Sequence, residues 1–327
     1  MKNSHINGIL SFYNAIRRKL PANYGVIINR FKQIENSIGE GFAGIDSKFV
    51  QINEQINNIN FRLNDYKSQF NEIGSRTQYP LQMIAADQSD ILGAMRLLRP
   101  QEVLGFGKIR LGRMNDGGYV MIDDFEGINC AFSFGISGDD SWDVGVAEKG
   151  ISVYQFDYSI DKSPSSHPLL KFSKKRISSE AANGNATIPD LVDKYSNGAH
   201  SDIILKMDIE GAEWNVIDAC PIEYLKHFKQ IICEFHSLSQ LGNAIYLSLF
   251  KGVFEKLNTA FSIVHVHANN WGSIYNLSNI VIPDVIEITF VNNDYYTLSA
   301  SDEIFPTKLD MPNRADYPDI FLGAFRF

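Results

Sequence analysis

Between positions 27 and 73, apolar residues recur at spacings of three and four that alternate except for two successive steps of four from Ile34 to Phe42. They are Ile27, Phe31, Ile34, Ile38, Phe42, Ile45, Phe49, Ile52, Ile56, Ile59, Leu63, Tyr66, Phe70 and Ile73. This heptad pattern has a 3.5-residue period, which predicts a left-handed coiled coil about 70 Å long. Isoleucine dominates the d positions, and this favours a trimer or tetramer over a dimer. Residues 27–75 are therefore expected to assemble a homo-oligomer.

Helices are also predicted on both sides of this coiled coil. Residues 1–26 form a lead-in helix that contains Arg17-Arg18-Lys19, and residues 76–100 form a connecting helix that ends before Pro100. The three cations allow contact with an anionic membrane surface, but a short helix packed on its own oligomer is the favoured interpretation. A peripheral contact of the N-terminus with a membrane or an assembly partner therefore stays open.

From residue 101 onwards, short apolar runs alternate with amphipathic segments. The turn 115–118 predicts a hairpin between 108–113 and 119–122. Further strands are predicted at 129–134, 151–156, 175–178, 202–207, 229–235, 261–267 and 285–291, and helices at 141–149, 187–196, 212–219 and 242–258. This alternation predicts an α/β domain over residues 101–327, with a doubly wound and mostly parallel sheet.

Composition narrows the class of partner. Lys and Arg total 30 against 38 Asp and Glu, and no basic tract occurs in the body of the chain, so nucleic acid is disfavoured as a partner. The three cysteines lack CxxC spacing, which argues against a disulfide framework and a thiolate metal site. No apolar run is long enough to span a bilayer. We expect a cytoplasmic protein, with contact at the inner face of the membrane left open, that acts on small molecules or glycans.

The loop after the strand at 129–134 has the properties of a cofactor site. Gly135 and Gly138 let a ligand approach the backbone before the next helix begins. About 20 residues downstream, Asp157 ends the next strand, where an acid takes ribose hydroxyls. The third glycine of the dinucleotide fingerprint is missing. This favours a mononucleoside-like cofactor over NAD, and an NAD-linked sugar enzyme is the least favoured interpretation.

Four segments carry a family resemblance: Asn115-Asp116-Gly117-Gly118-Tyr119-Val120, Thr187-Ile188-Pro189-Asp190-Leu191, Lys206-Met207-Asp208-Ile209-Glu210-Gly211-Ala212-Glu213 and Glu234-Phe235-His236. They resemble FkbM-type S-adenosylmethionine-dependent methyltransferases, and the chain is also similar to the methyltransferase-like 24 branch. The resemblance covers roughly residues 101–290. It implies a Rossmann-like, seven-stranded class I methyltransferase fold, S-adenosylmethionine as cofactor, and O-methylation, commonly of sugars or natural products.

The resemblance also implies positions for the cofactor. The loop from Phe134 to Asp139 would hold its methionine end, Asp157 the ribose, and residues 177–179 the adenine. Class I enzymes usually carry an acidic residue and three glycines in the first loop, a pattern that this chain lacks, so Asp139 or Asp116 would supply the anionic contact. The cofactor-binding candidates are Asp116, Gly117, Gly135, Ile136, Ser137, Gly138, Asp139, Asp157, Ser179 and Asp208.

Methylation of a sugar hydroxyl requires help in removing its proton. A histidine base or a divalent cation gives that help. Asp208, His236 and His267 are the catalytic candidates, and His267 is favoured over His265 because it lies closer to the strand end. Asp208, Glu234 and His236 are a candidate site for Mg²⁺ or Mn²⁺, since oxygen-rich sites suit these ions.

Other residues at these strand ends are candidates for contact with a sugar or glycan acceptor. They are Glu210, Asn269, Asn270, Trp271 and Tyr275. Structural alternatives exist for several candidates: Asp208 and Glu210 also suit a helix N-terminus, and Trp271 and Tyr275 also suit core packing. A further alternative for the whole protein is a non-catalytic coiled-coil scaffold with a decayed methyltransferase domain. Polar residues kept at the strand ends argue against decay.

Overall fold

The computed structural model describes residues 86–182, 184–196 and 202–327. The predicted lead-in helix, the predicted coiled coil and residues 76–85 of the connecting helix lie outside the described residues. The rest of the connecting helix is helix α1, Gln88–Met95, followed by a 3₁₀ turn at Arg96–Leu98. The Asp87 side chain caps α1 by accepting the backbone N–H of Asp90 at 2.8 Å.

Strands and helices alternate through the remaining chain. The strands are β1 Gln101–Val103, β2 Lys108–Leu111, β3 Tyr119–Ile122, β4 Cys130–Phe134, β5 Ser152–Phe156, β6 Leu170–Ser173, β7 Ile203–Met207, β8 Phe228–Phe235, β9 Phe261–Ala268, β10 Ile274–Leu277, β11 Ile280–Pro283, β12 Ile286–Asn292 and β13 Leu298–Ala300. The helices are α2 Ser141–Ala147, α3 Ile188–Tyr195, α4 Glu213–Ala219, α5 Ile222–Leu225 and α6 Ala244–Asn258, with a 3₁₀ helix at Leu238–Gly242.

Seven strands form the central sheet in the order β6-β5-β4-β7-β8-β12-β9. The strands β6, β5, β4, β7 and β8 run parallel, and β12 runs antiparallel to both of its neighbours, β8 and β9. In sequence order within this sheet, the arrangement is 3-2-1-4-5-7-6. This is the Rossmann-like class I methyltransferase fold that the family resemblance implied, and it agrees with the doubly wound, mostly parallel sheet that the residue pattern predicted.

The central strands are buried on both faces, which explains their continuous apolar runs. Every residue of β4, β7 and β8 is buried. Side chains alternate between two apolar clusters: Phe132 and Leu205 pack on one face, and Ala131 and Ile204 pack on the other. The three cysteines are buried and unpaired. Parallel strands of this kind align their carboxyl ends at one edge of the sheet, where the candidate residues lie.

The strand predicted at 175–178 is wrong. The edge strand is β6, Leu170–Ser173, and Ile177 forms only an isolated bridge with Ala186. None of the four residues of β6 is buried, so β6 has no buried apolar run to mark it. Ile177 is buried, and this single apolar position is the reason why the strand was predicted five residues too far along the chain.

The hairpin predicted near residue 115 is confirmed. Strands β2 and β3 pair antiparallel from Lys108 opposite Ile122 to Leu111 opposite Tyr119. A second pairing, β1 with β13, was not predicted from the sequence. In the described part of the chain, every helix is too short or too polar to cross a bilayer.

Candidate active site

The loop after β4 meets the loop after β7 at the carboxyl edge of the sheet. Gly135 has a positive φ of 73°, and a Cβ atom built on it would lie 1.6 Å from the backbone oxygen of Asp208. The Asp208 N–H donates to the Phe134 oxygen at 3.0 Å. Only glycine fits such a close approach in this conformation. The predicted cofactor loop and the acidic loop are therefore in direct backbone contact.

Asp157 fixes the shape of the predicted cofactor loop. Its Oδ2 accepts the backbone N–H groups of Ile136 at 2.7 Å and Ser137 at 2.8 Å. Its Oδ1 accepts the N–H of Ser159 at 2.6 Å and the Ser159 hydroxyl at 2.7 Å. Burial opposes ionisation, but these hydrogen bonds outweigh it and lower the pKa of Asp157. A ribose hydroxyl would compete with Ser159 for Oδ1.

The hairpin turn at 115–118 stands beside the same loop, and its two candidate acids differ. Asp139 is in an ion pair, since its Oδ2 lies 2.6 Å from Arg113 Nε, although this buried oxygen accepts no hydrogen bond in the described structure. Its Oδ1 accepts the N–H of Ser141. Asp116 accepts a weaker bond from Asn313 at 3.3 Å. Burial raises the pKa of Asp116, and the nearby charges of Asp208 and Glu287 add to that rise. A cationic group of a ligand placed beside Asp116 would therefore favour its ionised form and lower its pKa.

Asp208, Glu234 and His236 converge after β7 and at the end of β8. One ligand atom from each lies within 4.8 Å of the others. His236 Nε2 is 3.4 Å from Glu234 Oε1 and 3.9 Å from Asp208 Oδ1. It is also 3.8 Å from Oε2 of Glu210, an exposed residue with a positive φ of 59°. Two carboxylates and one imidazole are a donor set that Mg²⁺ or Mn²⁺ accepts.

Negative charge exceeds positive charge in this cluster. Burial raises the pKa of Glu234, and the charge of Asp208 raises it further. Burial lowers the pKa of His236, but its hydrogen bonds to Glu213 and Glu234 outweigh burial and raise the pKa. Lys206 Nζ, at 3.7 Å from Asp208 Oδ2, offsets part of the charge. A cation bound among these groups would take the place of the protons that they otherwise retain.

Three further residues support the cluster, a role that the sequence predicted for none of them; Asn269 was predicted to contact the acceptor. The buried Tyr119 hydroxyl lies 3.1 Å from Asp208 Oδ2 and 3.4 Å from Glu234 Oε2. Asn269 donates to Glu234 Oε1 at 2.9 Å, and Glu213 Oε1 lies 3.0 Å from His236 Nδ1. Tyr119 and Glu213 lie in the segments 115–120 and 206–213 that carry the family resemblance, and this location is the only sequence feature that could have indicated them.

His267 is held away from this cluster, on β9. Its Nδ1 lies 3.1 Å from Glu287 Oε2 and its Nε2 lies 3.0 Å from Asp319 Oδ1. Strand β12 separates β9 from β8, which carries Glu234. Burial lowers the pKa of His267, but the charge of Glu287 and the bond to Asp319 raise it to about 10. At neutral pH, both ring nitrogens of His267 are therefore protonated. His265 similarly contacts Asp310 at 2.8 Å.

The loop after β9 forms an exposed aromatic surface. Trp271 is 60% exposed, and its backbone N–H donates to Asn269 Oδ1 at 2.9 Å. The Arg314 guanidinium lies 5.0 Å from the Trp271 ring and 4.1 Å from the Tyr317 ring. The Asn270 side chain donates to backbone oxygens of the C-terminal segment 314–318, including that of Arg314 at 3.1 Å. The side chain of Asn270 thus holds the segment in place.

Two further candidates, Tyr275 and Ser179, lie on the surface. Tyr275 is 38% exposed on β10, which pairs with β11 in a separate two-stranded sheet. Ser179 is exposed after the isolated bridge of Ile177. Their predicted roles, contact with a sugar and with adenine, stay predictions.

No protein-family model and no curated protein sequence matches the chain. Solved structures that match include a fibrillarin/Nop5p complex, at 12% identity over 51% of this chain and 74% of that chain, with a TM-score of 0.31. Another is precorrin-6y C5,15-methyltransferase from Geobacter metallireducens GS-15, at 10% identity over 67% of this chain and 96% of that chain, with a TM-score of 0.26.

A third is a 16S rRNA (adenine(1408)-N(1))-methyltransferase from Catenulisporales acidiphilia, at 9% identity over 56% of this chain and 97% of that chain, with a TM-score of 0.27. The strand order of the central sheet, and not these similarities, carries the assignment of the fold.

Proposed function

We propose that this chain is an S-adenosylmethionine-dependent O-methyltransferase that methylates a hydroxyl of a sugar, in a glycan, at a polysaccharide end or in a nucleotide-linked sugar. One observation supports this most directly: the loop of Gly135 and the loop of Asp208 meet without room for one added carbon atom. A cofactor held by the first loop would therefore adjoin the acidic cluster. The resemblance to FkbM-type enzymes supports the same conclusion.

The cofactor fits the first half of the site. The exposed backbone of Ser137 and Gly138 suits the methionine end, and Asp157 suits the ribose. Asp116 is the better partner for the methionine ammonium, because Asp139 is already paired with Arg113. Burial, and then the charges of Asp208 and Glu287, raise the pKa of Asp116, and a nearby ammonium group would offset that rise.

A divalent cation fits the second half. Asp208, Glu234 and His236 would hold it, and when bound it would supply Lewis acidity that favours loss of a hydroxyl proton. In the transfer itself, the acceptor oxygen gains the methyl group, the sulfonium becomes S-adenosylhomocysteine, and the hydroxyl proton leaves. When His236 Nε2 holds the cation it cannot take this proton, so the chain's own group for the proton is the exposed Glu210 carboxylate, whose Oε2 lies 3.8 Å from that nitrogen.

The aromatic surface supports a sugar as the acceptor. Asn269 joins Glu234 to the backbone of Trp271, so the exposed indole adjoins the acidic cluster. Sugar rings present C–H faces that pack on exposed aromatic rings, and Trp271 and Tyr317 both offer such rings. Arg314 is paired with Asp316 at 2.9 Å, so this surface carries little net charge.

Isothermal titration of the 327-residue protein with S-adenosylmethionine tests the proposed function. We expect binding at about micromolar strength, with S-adenosylhomocysteine as a second ligand. Asp157→Ala is expected to weaken it at least about tenfold, because the change removes four hydrogen bonds that shape the loop.

The control is Asp161→Ala, which removes a carboxylate that is exposed and paired with Lys174 nearby in the chain. It should bind the cofactor as the unchanged protein does. Thermal unfolding of both variants separates loss of binding from loss of fold. No heat at millimolar ligand would contradict the methyltransferase proposal and would favour the scaffold alternative.

A further inference from the structure

We propose that Glu213 is a positioning residue that holds His236 with Nε2 as the nitrogen ligand of a divalent cation. This inference rests on the proposed function and deepens it, because it decides between two roles of His236 that the sequence left open. Glu213 lies at the start of α4, and none of its surface is exposed. Burial of a carboxylate to this depth costs free energy unless the carboxylate is paired or hydrogen-bonded.

Glu213 contacts the imidazole on the side away from the cluster. Its Oε1 lies 3.0 Å from His236 Nδ1 and also accepts the Ile209 N–H at 3.0 Å. A carboxylate only accepts hydrogen bonds, so Nδ1 must carry the proton that this contact needs. When a cation displaces the second ring proton, the lone pair is therefore on Nε2, which lies 3.4 Å from Glu234 Oε1 and 3.9 Å from Asp208 Oδ1.

The backbone of His236 is held as firmly as its ring. Its carbonyl oxygen accepts the Trp214 indole N–H at 2.8 Å and the Tyr246 hydroxyl at 3.0 Å. Trp214 follows Glu213 directly in α4, so one short helix fixes both the ring and the backbone of His236. Histidine ligands of metals usually donate their second ring N–H to a carboxylate in this way.

The position of Glu213 in the fold agrees with this role. Its second oxygen, Oε2, is buried without a hydrogen-bond partner in the described part of the chain. A role at the helix start alone does not explain why this buried carboxylate contacts the ring of His236, which follows the neighbouring strand. The Asp208, Glu234 and His236 atoms meanwhile lie within 4.8 Å of one another, which leaves them placed to share one ion.

Binding of Mn²⁺ to the 327-residue protein, followed by electron paramagnetic resonance of the free ion, tests the inference. Glu213→Gln keeps the size of the side chain but removes its charge, and we expect Mn²⁺ to bind 10- to 100-fold more weakly. Binding of S-adenosylmethionine should change less than twofold. The matched control is Glu223→Gln, the same change at an exposed carboxylate on α5, and it should leave Mn²⁺ affinity unchanged.

A second measurement needs no variant at Glu213. Nitrogen-15 spectra of the histidines in the unchanged protein report which ring nitrogen carries the proton, and a His236→Asn variant assigns the signal among seven histidines. We expect His236 to keep its Nδ1 proton as Mg²⁺ is added while the Nε2 resonance shifts. A proton retained on Nε2 at saturating Mg²⁺ would overturn the inference.

The outcomes separate the inference from the proposed function. Cofactor binding with an unchanged Mn²⁺ affinity in Glu213→Gln overturns the role of Glu213. Cofactor binding without any Mn²⁺ binding to the unchanged protein overturns the inference and leaves the methyltransferase proposal intact. Absence of cofactor binding contradicts the proposed function itself.

Discussion

Gly135→Ala is expected to lower the free energy of unfolding by at least about 3 kcal/mol and to abolish binding of S-adenosylmethionine. A non-glycine residue at the observed φ of 73° is strained. The added Cβ would also lie 1.6 Å from the Asp208 oxygen and 2.7 Å from its carbonyl carbon, so one loop must move. That movement breaks the contacts of the loop with Asp157. Urea unfolding and isothermal titration measure the two effects.

Gly138→Ala is the matched control in the same loop. A Cβ built at Gly138 meets no atom within 4 Å in the described structure, and Gly138 does not have a positive φ. Its free energy of unfolding should therefore stay within about 0.5 kcal/mol of the unchanged protein. Equal stability of the two alanine variants would show that the Gly135 and Asp208 loops do not meet in solution.

The central strands were predictable because burial on both faces leaves a signal in consecutive residues. The apolar run that predicted a strand at 202–207 is β7, Ile203–Met207, and the run that predicted 229–235 lies in β8, Phe228–Phe235. Strand β6 gave no such signal, because none of its four residues is buried, whereas β9, at the other edge of the sheet, is buried throughout and was predicted. The same physics therefore explains the correct strands and the wrong one.

The candidate site was predictable in part for a related reason. Acids and histidines that directly follow apolar runs reach the edge of a parallel sheet, which located Asp208, Glu234 and His236. The partners of His267 and His265 were not predictable, because Asp319 and Asp310 come from a C-terminal segment 52 and 45 residues away. That segment has little regular structure, and such long-range pairings leave no local period in the sequence.

Asp143→Asn is expected to raise the free energy of unfolding at pH 7.5 by up to about 3 kcal/mol, and the gain should disappear near pH 4. Asp143 is only 2% exposed in the first turn of α2. Burial raises its pKa from an ordinary value of 3.8 to about 6, although the charge of Lys206 opposes this rise. The difference of about two pKa values corresponds to about 3 kcal/mol.

The direction of the pH effect follows from where the proton binds more tightly. The folded protein holds the Asp143 proton more strongly than the unfolded chain, so the group favours folding below about pH 4. This contribution is lost as the pH rises to about 6, and at higher pH the folded state bears the full cost of the buried charge. Asparagine does not ionise, and the slope between these pH values should flatten.

Asp140→Asn is the control with the opposite sign. Burial opposes ionisation of Asp140, but hydrogen bonds from Ser165 and Ser163 outweigh it and lower the pKa. The stability that Asp140 contributes is therefore present at neutral pH, and Asp140→Asn should reduce it there. Urea unfolding at pH 4, 6 and 7.5 measures both variants. Parallel pH curves for Asp143→Asn and the unchanged protein would contradict the prediction.

The surroundings of Asp143 give a reason to keep a destabilising acid. Asp143 Oδ2 accepts Gln155 Nε2 at 2.7 Å, and the Asp143 charge acts on Lys206. Lys206 donates to the Gly135 oxygen and pairs with Asp208, so it joins the predicted cofactor loop to the acidic cluster. Asp143→Asn should therefore weaken binding of S-adenosylmethionine while it stabilises the fold. A variant that gained stability and kept its cofactor affinity would show that Lys206 needs no second carboxylate to hold the loop.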